Sequence, residues 1–156
     1  MIRPATPDDV PAIVRLIREL AEYERMLHEV KVTEEQVRAS LFGDDPKVFA
    51  HIAEHDGAVA GFAVWYLTYS TWEGVHGIYL EDLFVDPAVR GHGYGKALLT
   101  ELARIADERG YARVEWSVLN WNAPAIGFYE SIGARPQDEW TVYRLTGDAL
   151  TKAARA

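Results

Sequence analysis

The sequence contains no cysteine, no excess of positive charge and no long apolar run. The absence of cysteine excludes disulfide frameworks, thiolate metal sites and cysteine nucleophiles. The net charge of -8 argues against nucleic-acid binding, because a protein on a polyanion needs a basic face. No apolar stretch approaches the roughly 20 residues that span a bilayer, and the first residues lack the basic-then-apolar pattern of a secretory signal. We therefore expect a cytoplasmic protein that binds neither nucleic acid nor membrane.

The length and composition indicate one folded unit. A chain of 156 residues that is 49% hydrophobic can bury roughly two-thirds of its unfolded surface. We find no repeat, low-complexity segment or linker, so the sequence predicts a single domain over residues 1–156. The acidic balance favours a cationic ligand over an anionic one.

Apolar periodicity and capping residues predict the secondary structure. A helix follows Thr6-Pro7-Asp8-Asp9, and Thr33-Glu34-Glu35-Gln36 opens a second one as a capping box. Asp56-Gly57 signals a hairpin between two strands. The next strand contains Glu81 and Asp82, which regular alternation would send to opposite faces. Later elements are a helix from Tyr94 to near Gly110, a strand from Arg113 to Leu119, a helix from Ile126 to Ile132, a strand from Thr141 to Leu145 and a loose tail from Thr151 to Ala156. This order predicts a mixed α/β or α+β fold.

The clearest sequence evidence for a ligand site lies in the segment from Ile78 to Arg109. An apolar strand ends at Asp86-Pro87, and Arg90-Gly91-His92-Gly93-Tyr94-Gly95 then leads into an amphipathic helix. Glycine allows a sharp turn and a close approach of a ligand to the backbone. The first N–H groups of the helix have no intrahelical partner and carry the positive end of its dipole. The junction therefore predicts a phosphate or pyrophosphate site, with Arg90 and Lys96 as cations at its edges.

Two better-known phosphate loops do not fit these residues. A dinucleotide fingerprint would need glycine where Lys96 or Leu98 stands. A Walker-type loop would need glycine at Arg90 and a hydroxyl residue at Ala97. A plain strand-to-helix connection without a ligand is the remaining alternative.

The pattern that fits, R-x-x-G-x-G after a strand and before a helix, resembles the acetyl-CoA pyrophosphate loop of the GCN5-related N-acetyltransferase (GNAT) family. Further runs resemble its diamine (spermidine/spermine) N-acetyltransferase branch, which also contains thialysine acetyltransferases. They are Ile2-Arg3-Pro4-Ala5-Thr6, Glu19-Leu20-Ala21-Glu22-Tyr23-Glu24, Tyr79-Leu80-Glu81-Asp82-Leu83-Phe84-Val85, Trp121-Asn122-Ala123-Pro124 and Phe128-Tyr129-Glu130-Ser131-Ile132-Gly133-Ala134.

The resemblance implies a mixed central sheet flanked by helices on both faces. It also implies a homodimer that transfers acetyl from acetyl-CoA to the primary amine of a small cation, such as spermidine, by direct attack in a ternary complex. By the same resemblance, acetyl-CoA would be held by Leu83, Phe84, Val85, Arg90, Gly91, His92, Gly93, Tyr94, Gly95, Lys96, Asn122, Pro124, Ala125 and Tyr129. The amine would meet Tyr23, Glu24, Glu81, Asp82, Glu115 and Ser117.

The resemblance assigns the catalytic roles to Glu81 and Tyr129. An alkylamine resembles lysine, with a pKa of about 10.4, so it must lose a proton before it can attack a thioester. Glu81 would receive that proton directly or through water, and Tyr129 would supply a proton or hydrogen bond to the departing thiolate. The alternatives are a solvated strand carboxylate and an ordinary packed helix residue. The histidines have no metal-ligand spacing, so no metal is expected, and the His92 side chain is assigned no chemistry.

One departure leaves the substrate open. Enzymes of the branch that act on polyamines carry an acidic run after the tyrosine helix, and here only Asp138-Glu139 corresponds to it. Thialysine or a related amino acid is therefore the alternative substrate, and such a substrate also needs a cation for its carboxylate. A non-enzymatic acyl-CoA sensor is a third hypothesis.

Overall fold

The computed structural model describes all 156 residues. Its chain divides into two compact units, residues 1–117 and residues 118–156. The single domain expected from the sequence stays a prediction.

The first unit is built on a five-stranded sheet in the order β1-β2-β3-β4-β5. Its strands are β1 (Ile2–Pro4), β2 (Phe49–His55), β3 (Ala58–Ser70), β4 (Val75–Val85) and β5 (Val114–Glu115). Its helices are α1 (Val10–Tyr23), α2 (Glu34–Phe42) and α3 (Tyr94–Glu108). Neighbouring strands are antiparallel except for β4 and β5, which run parallel. The predicted mixed sheet is confirmed.

Helices cover both faces of this sheet. On one face α1 and α2 pack on the strands through a shared core of Val10, Ile13, Leu16, Val37, Leu41, Ala50, Ile52, Phe62 and Phe84. Alternation along β2 turns His51, between Ala50 and Ile52, to the opposite face. There it lies within electrostatic reach of Glu101 and Arg104 of α3. The inward stripe of α3 is Leu98, Leu99, Leu102, Ile105 and Ala106, all buried.

Local sequence signals set several element boundaries as expected. The Thr33 hydroxyl accepts from the Gln36 amide, and the Gln36 side chain accepts from the Thr33 amide, which closes the capping box of α2. Asp56 and Gly57 both have positive φ, 50° and 78°, as the tight turn between β2 and β3 requires. Two ion pairs of Arg3 also hold β1, one with Asp9 at 2.7 Å and one with Glu54 of β2 at 2.6 Å.

Strand β4 departs from regular pairing on both sides. Towards β3 the register shifts, so that Val64 lies opposite Asp82 and Trp65 lies opposite Leu80. Glu81 therefore lies in a β-bulge. The prediction for the side chains of Glu81 and Asp82 assumed regular alternation, which the bulge interrupts. Towards β5, β4 pairs only through Ile78 and Tyr79. The predicted strand from Arg113 to Leu119 is correspondingly reduced to Val114–Glu115.

The second unit contains α4 (Ala123–Ser131) and α5 (Gly147–Ala154). The strand predicted from Thr141 to Leu145 is wrong, because this segment forms no ladder and Val142 and Tyr143 are 85% and 95% exposed. The loose tail predicted from Thr151 to Ala156 is wrong up to Ala154, since Thr151 to Ala154 continue α5. The longest helix, α3, has 15 residues, and none of the helices combines the length and apolar character that a bilayer crossing requires.

Candidate active site

The glycine loop has the open backbone that its sequence predicts. Gly91 and Gly93 have φ of 88° and 78°, in the left-handed region that side chains disfavour. A Cβ placed on either residue would meet no atom within 4 Å. The loop therefore borders free space, which a ligand can enter without displacing side chains.

The first turn of α3 presents unpaired amides to this loop. The first amide with a helical partner is that of Ala97, which donates to the Gly93 carbonyl at 2.9 Å. The N–H groups of Tyr94, Gly95 and Lys96 precede it and have no intrahelical acceptor. Together with the positive end of the helix dipole they form an anion site that a diphosphate fits.

The free edge of β4 lies directly before the loop. Beyond Tyr79 this strand has no neighbour on the β5 side, while its other edge stays paired to β3 through Val85. Alternate main-chain N–H and C=O groups of Leu83, Phe84 and Val85 therefore face away from β3 and can accept an extended ligand with amide groups.

The exposed side chain of Arg90 folds back from the loop over the Phe84 and Tyr23 rings. Its Nε donates to the Val85 carbonyl at 3.2 Å. Its guanidinium carbon lies 5.4 Å from the centre of the Phe84 ring and 5.8 Å from that of Tyr23, at the end of α1. Arg90 thus links the loop to α1, a contact that sequence analysis missed because Arg90 and Tyr23 are 67 positions apart.

An acidic cluster lies on β4 and at the end of α1. Burial and, to a smaller extent, the negative charges of Glu81 and Glu24 together raise the pKa of Asp82 to about 6. Burial likewise raises the pKa of Glu24. Glu81 itself is exposed at the bulge. A cation bound beside these three carboxyl groups would favour the ionised form of Asp82, so the cluster suits a cationic ligand.

Tyrosines line the same strands. Tyr66 and Tyr79 are cross-strand partners whose ring centres lie 5.2 Å apart. Burial, and then the charge of Glu81, raise the pKa of Tyr66. The Tyr79 hydroxyl and the Ser117 hydroxyl are 2.7 Å apart. Sequence analysis missed both tyrosines, because only the register of β3 against β4 brings Tyr66 opposite Tyr79 and close to Glu81.

The remaining first-unit residue assigned to the substrate is already paired. The Glu115 carboxylate lies 3.3 Å from Nε of Arg113. Glu115 therefore already has a cationic partner within the protein. Glu115 therefore differs from Glu24, Glu81 and Asp82, for which no basic partner is found.

The second unit carries the other predicted site residues on α4. Asn122 caps this helix, its side chain accepting from the Ala125 amide at 3.4 Å, and Pro124 lies in the first turn. Tyr129 lies in the last turn, half-buried, with its ring centre 5.6 Å from that of Phe128. Its carbonyl accepts from the Ala134 amide, and Gly133 has the positive φ of 94° expected of a C-terminal glycine.

No three histidine, aspartate or glutamate side chains are arranged to hold a metal ion. The chemistry available in the described residues is that of carboxylates, phenols, imidazoles and main-chain amides. Such groups can bind a cation, bind a diphosphate and transfer protons.

Comparison with known proteins agrees with this geometry. Residues 12–134 match the family model described as "Acetyltransferase (GNAT) family". The chain is 39% identical to the thialysine N-epsilon-acetyltransferase of Bos taurus, covering 99% of this chain and 96% of that protein. It is 34% identical to the human spermidine/spermine N(1)-acetyltransferase-like protein 1, covering 98% of this chain but 23% of the longer protein.

A solved structure supports the same architecture. An integron cassette protein from the mobile metagenome of V. cholerae superposes with a TM-score of 0.83 at 28% identity. The match covers 100% of this chain and 98% of the other.

Proposed function

The chain belongs to the acetyltransferase (GNAT) family, and from that premise we propose that it transfers acetyl from acetyl-CoA to a primary amine of a small cationic substrate. One observation carries the proposal: a glycine loop with open amides directly follows a strand that has a free edge and an acidic cluster. A diphosphate fits the first feature, an extended amide-containing arm fits the second, and a protonated amine fits the third.

The first unit would hold the cosubstrate through its main chain. The amides from Gly91 to Lys96 would bind the diphosphate, and Leu83, Phe84 and Val85 would pair with the arm that leads to the acetyl group. Acetyl-CoA supplies the activated thioester. A main-chain N–H near Leu83 would donate to the carbonyl oxygen as negative charge develops there, which is worth a few kcal/mol where the donor is preorganised.

The carboxylates would bind the amine and remove its proton. Glu24 and Asp82 would hold the cation, and Glu81, exposed at the bulge, would receive the proton directly or through water before the amine attacks the thioester carbon. Tyr129 on α4 would then donate to the departing thiolate, with Asn122, Pro124 and Ala125 flanking the cosubstrate. In this order of steps both reactants would be bound at the same time, so the acetyl group would pass directly from acetyl-CoA to the amine.

Two substrate classes follow from the acidic cluster and its surroundings. Carboxylates alone suit a diamine or polyamine such as spermidine, which has charge at both ends. A diamino acid such as thialysine is the second candidate, because the bovine relative carries that name and because the Arg90 guanidinium lies against Tyr23, next to Glu24. A cation beside the acidic cluster suits a substrate with its own carboxylate.

We further propose that the protein acts as a homodimer in the cytoplasm. The exposed apolar side chains of the second unit support self-association, with Trp140, Val142, Tyr143, Leu145 and Leu150 at least half exposed. Light scattering of the purified protein would measure its mass. A monomer across micromolar concentrations would contradict the dimer and leave the acetyl-transfer proposal intact.

The decisive experiment is an amine panel with acetyl-CoA, followed by release of the free CoA thiol. We expect turnover with spermidine, thialysine or both, and competition between them identifies the preferred class. Gly93→Ala should raise the KM for acetyl-CoA, because it fills the loop. Gly110→Ala is the matched control, since Gly110 has a similar φ of 71° and equally open surroundings at the other end of α3. CoA binding without turnover would favour the sensor, and absence of both would exclude the proposal.

A further inference from the structure

His55 brings a third ring to the glycine loop from a distant strand. It is the last residue of β2, and its ring centre lies 4.8 Å from that of His92 and 5.7 Å from that of Tyr94. The His92 and Tyr94 rings stack on each other at 5.9 Å. His92 belongs to the loop and Tyr94 is the first residue of α3, so the three rings form one group at the phosphate end of the proposed site.

The hydrogen bonds of this group leave it short of donors while both histidines are neutral. The Val89 carbonyl accepts from Nδ1–H of His92 at 2.9 Å, and a neutral imidazole has no second N–H. A hydrogen bond of 2.7 Å joins Nδ1 of His55 to the Tyr94 hydroxyl. Nε2 of His55 lies 3.4 Å from the Asp56 carboxylate. With Nε2–H directed at Asp56, neutral His55 accepts the Tyr94 O–H.

Protonation changes this arrangement in favour of an anion. A protonated His92 gains a second N–H at Nε2 while it keeps its bond to Val89. A protonated His55 donates from Nδ1 to the Tyr94 oxygen, which releases the Tyr94 O–H to donate elsewhere. Each proton therefore adds one positive charge and one hydrogen-bond donor beside the loop.

We propose that His55, His92 and Tyr94 form a second phosphate-binding group for CoA, and that CoA binding adds a proton to this group. This inference rests on the proposed function, because it needs CoA phosphates at the glycine loop. Phosphate charge favours the imidazolium form of a nearby histidine. Asp56 is the carboxylate in contact with the group, and the loop cations Arg90 and Lys96 are its neighbours in sequence. The affinity for CoA should therefore increase as the pH falls.

Calorimetric titration with CoA tests this linkage. Measurement near pH 6.5 in two buffers with different heats of ionisation gives the number of protons taken up. The test variant is His55→Asn with His92→Asn, because an asparagine amide can replace Nδ1 in both hydrogen bonds but cannot take up a proton. His28→Gln is the control, since the His28 side chain is 75% exposed and its ion-pair partner is Glu29, away from the glycine loop in sequence. The single variant His92→Asn, at an exposed loop position, covers the case in which the double variant does not fold.

We expect the wild type and His28→Gln to take up more protons than the double variant and to bind CoA about five- to tenfold more tightly near pH 6 than near pH 8. The double variant should retain only the pH dependence of CoA affinity that arises from the 3′-phosphate of CoA, which itself titrates at about pH 6. Repeating the titration with dephospho-CoA identifies the phosphate involved. A difference that persists assigns the group to the diphosphate, and one that disappears assigns it to the 3′-phosphate.

This inference would be overturned if the double variant took up as many protons as the wild type. The same holds for His92→Asn if the double variant does not fold. In either case CoA binding by the wild type would leave the proposed function standing. A wild-type protein that binds no CoA at either pH would overturn both.

Discussion

The guanidinium carbon of Arg90 lies 5.8 Å from the centre of the Tyr23 ring, so a residue of the glycine loop rests on a residue proposed to meet the amine. A cation over an aromatic face contributes about 0.5–1 kcal/mol at an exposed site. We predict that Tyr23→Leu, which keeps apolar bulk but removes the aromatic face, weakens CoA binding about two- to fivefold. Calorimetry measures the effect.

A double-mutant comparison separates this contact from a general loss of structure. In an Arg90→Ala background, Tyr23→Leu should have no further effect on CoA affinity, because the contact is already gone. An equal loss in both backgrounds would contradict the coupling of Tyr23 to the loop through Arg90.

The raised pKa of Asp82, about 6, predicts opposite effects of Asp82→Asn on activity and on stability. The carboxyl group is charged above about pH 6, so its attraction for an amine is present there and fades as the pH falls. We expect wild-type kcat/KM to decline below about pH 6. Asp82→Asn should lower kcat/KM at pH 8 by about tenfold and weaken that decline. A variant with the wild-type profile would contradict the role of Asp82.

The same substitution should increase stability, although it lowers activity. Because folding raises this pKa, ionised Asp82 destabilises the folded state at and above pH 6, and this cost disappears as the pH falls toward 4. Asp82→Asn should therefore raise the free energy of unfolding by about 1–2 kcal/mol at pH 8 and change it little at pH 4. Urea unfolding at the two pH values measures this. Asp107→Asn, on the exposed side of α3, should show no such difference.

His51 predicts acid sensitivity of the sheet. It is 6% exposed, its Nδ1 accepts from the Trp65 indole N–H at 3.1 Å, and burial lowers its pKa. A proton at Nδ1 would break that bond and place a charge in the core. The lowered pKa means that stability is complete above the ordinary histidine pKa of about 6.5 and is lost as the pH falls below it.

The variant His51→Asn keeps an acceptor for Trp65 but cannot be protonated. We expect it to cost about 1–3 kcal/mol at pH 8, from lost packing and weaker hydrogen bonding. Its stability should fall less between pH 7 and pH 5 than that of the wild type, as unfolding at several pH values would record. His28→Gln should follow the wild type. Parallel pH curves for wild type and His51→Asn would rule out His51 as the acid-sensitive group.

Sequence alone could predict features that depend on neighbouring residues. The Thr33 capping box, the Asp56-Gly57 turn and the glycine loop before α3 each depend on a few consecutive residues, and each forms as expected. Features set by distant pairing could not be predicted. The bulge at Glu81 follows from the register of β3 against β4, and the contact of His55 with Tyr94 joins residues 39 positions apart.

The segment from Thr141 to Leu145 illustrates the limit of strand propensity. Its residues suit a strand, yet strand preference mostly measures the fit to a pleated, half-buried surface. Here Val142 and Tyr143 are almost fully exposed, so no neighbouring strand supplies that surface. Helix α5 is the opposite case, a helix that forms although the sequence shows little sign of it. Thr146 and Gly147 are only a weak start signal, and Thr146 makes no capping hydrogen bond.

Tyr129→Phe tests the proposed proton donor. The change removes one hydroxyl and keeps the ring that packs beside Phe128, so the fold should be kept and the CoA affinity should change far less than kcat. If the phenol protonates the departing thiolate, kcat should fall about 10²-fold. The loss should shrink with an acetyl thioester whose thiol is more acidic, because such a leaving group needs less help.

Steady-state rates with the two thioesters, together with CoA titration and the melting temperature, separate catalysis from structure. Tyr111→Phe is the matched control, since the Tyr111 ring contacts only His76 and Arg109 among aromatic and cationic groups and lies outside the proposed site. Full activity of Tyr129→Phe would remove Tyr129 from the catalytic assignment. The glycine loop and the acidic cluster would then still support acetyl transfer, with water as the donor to the thiolate.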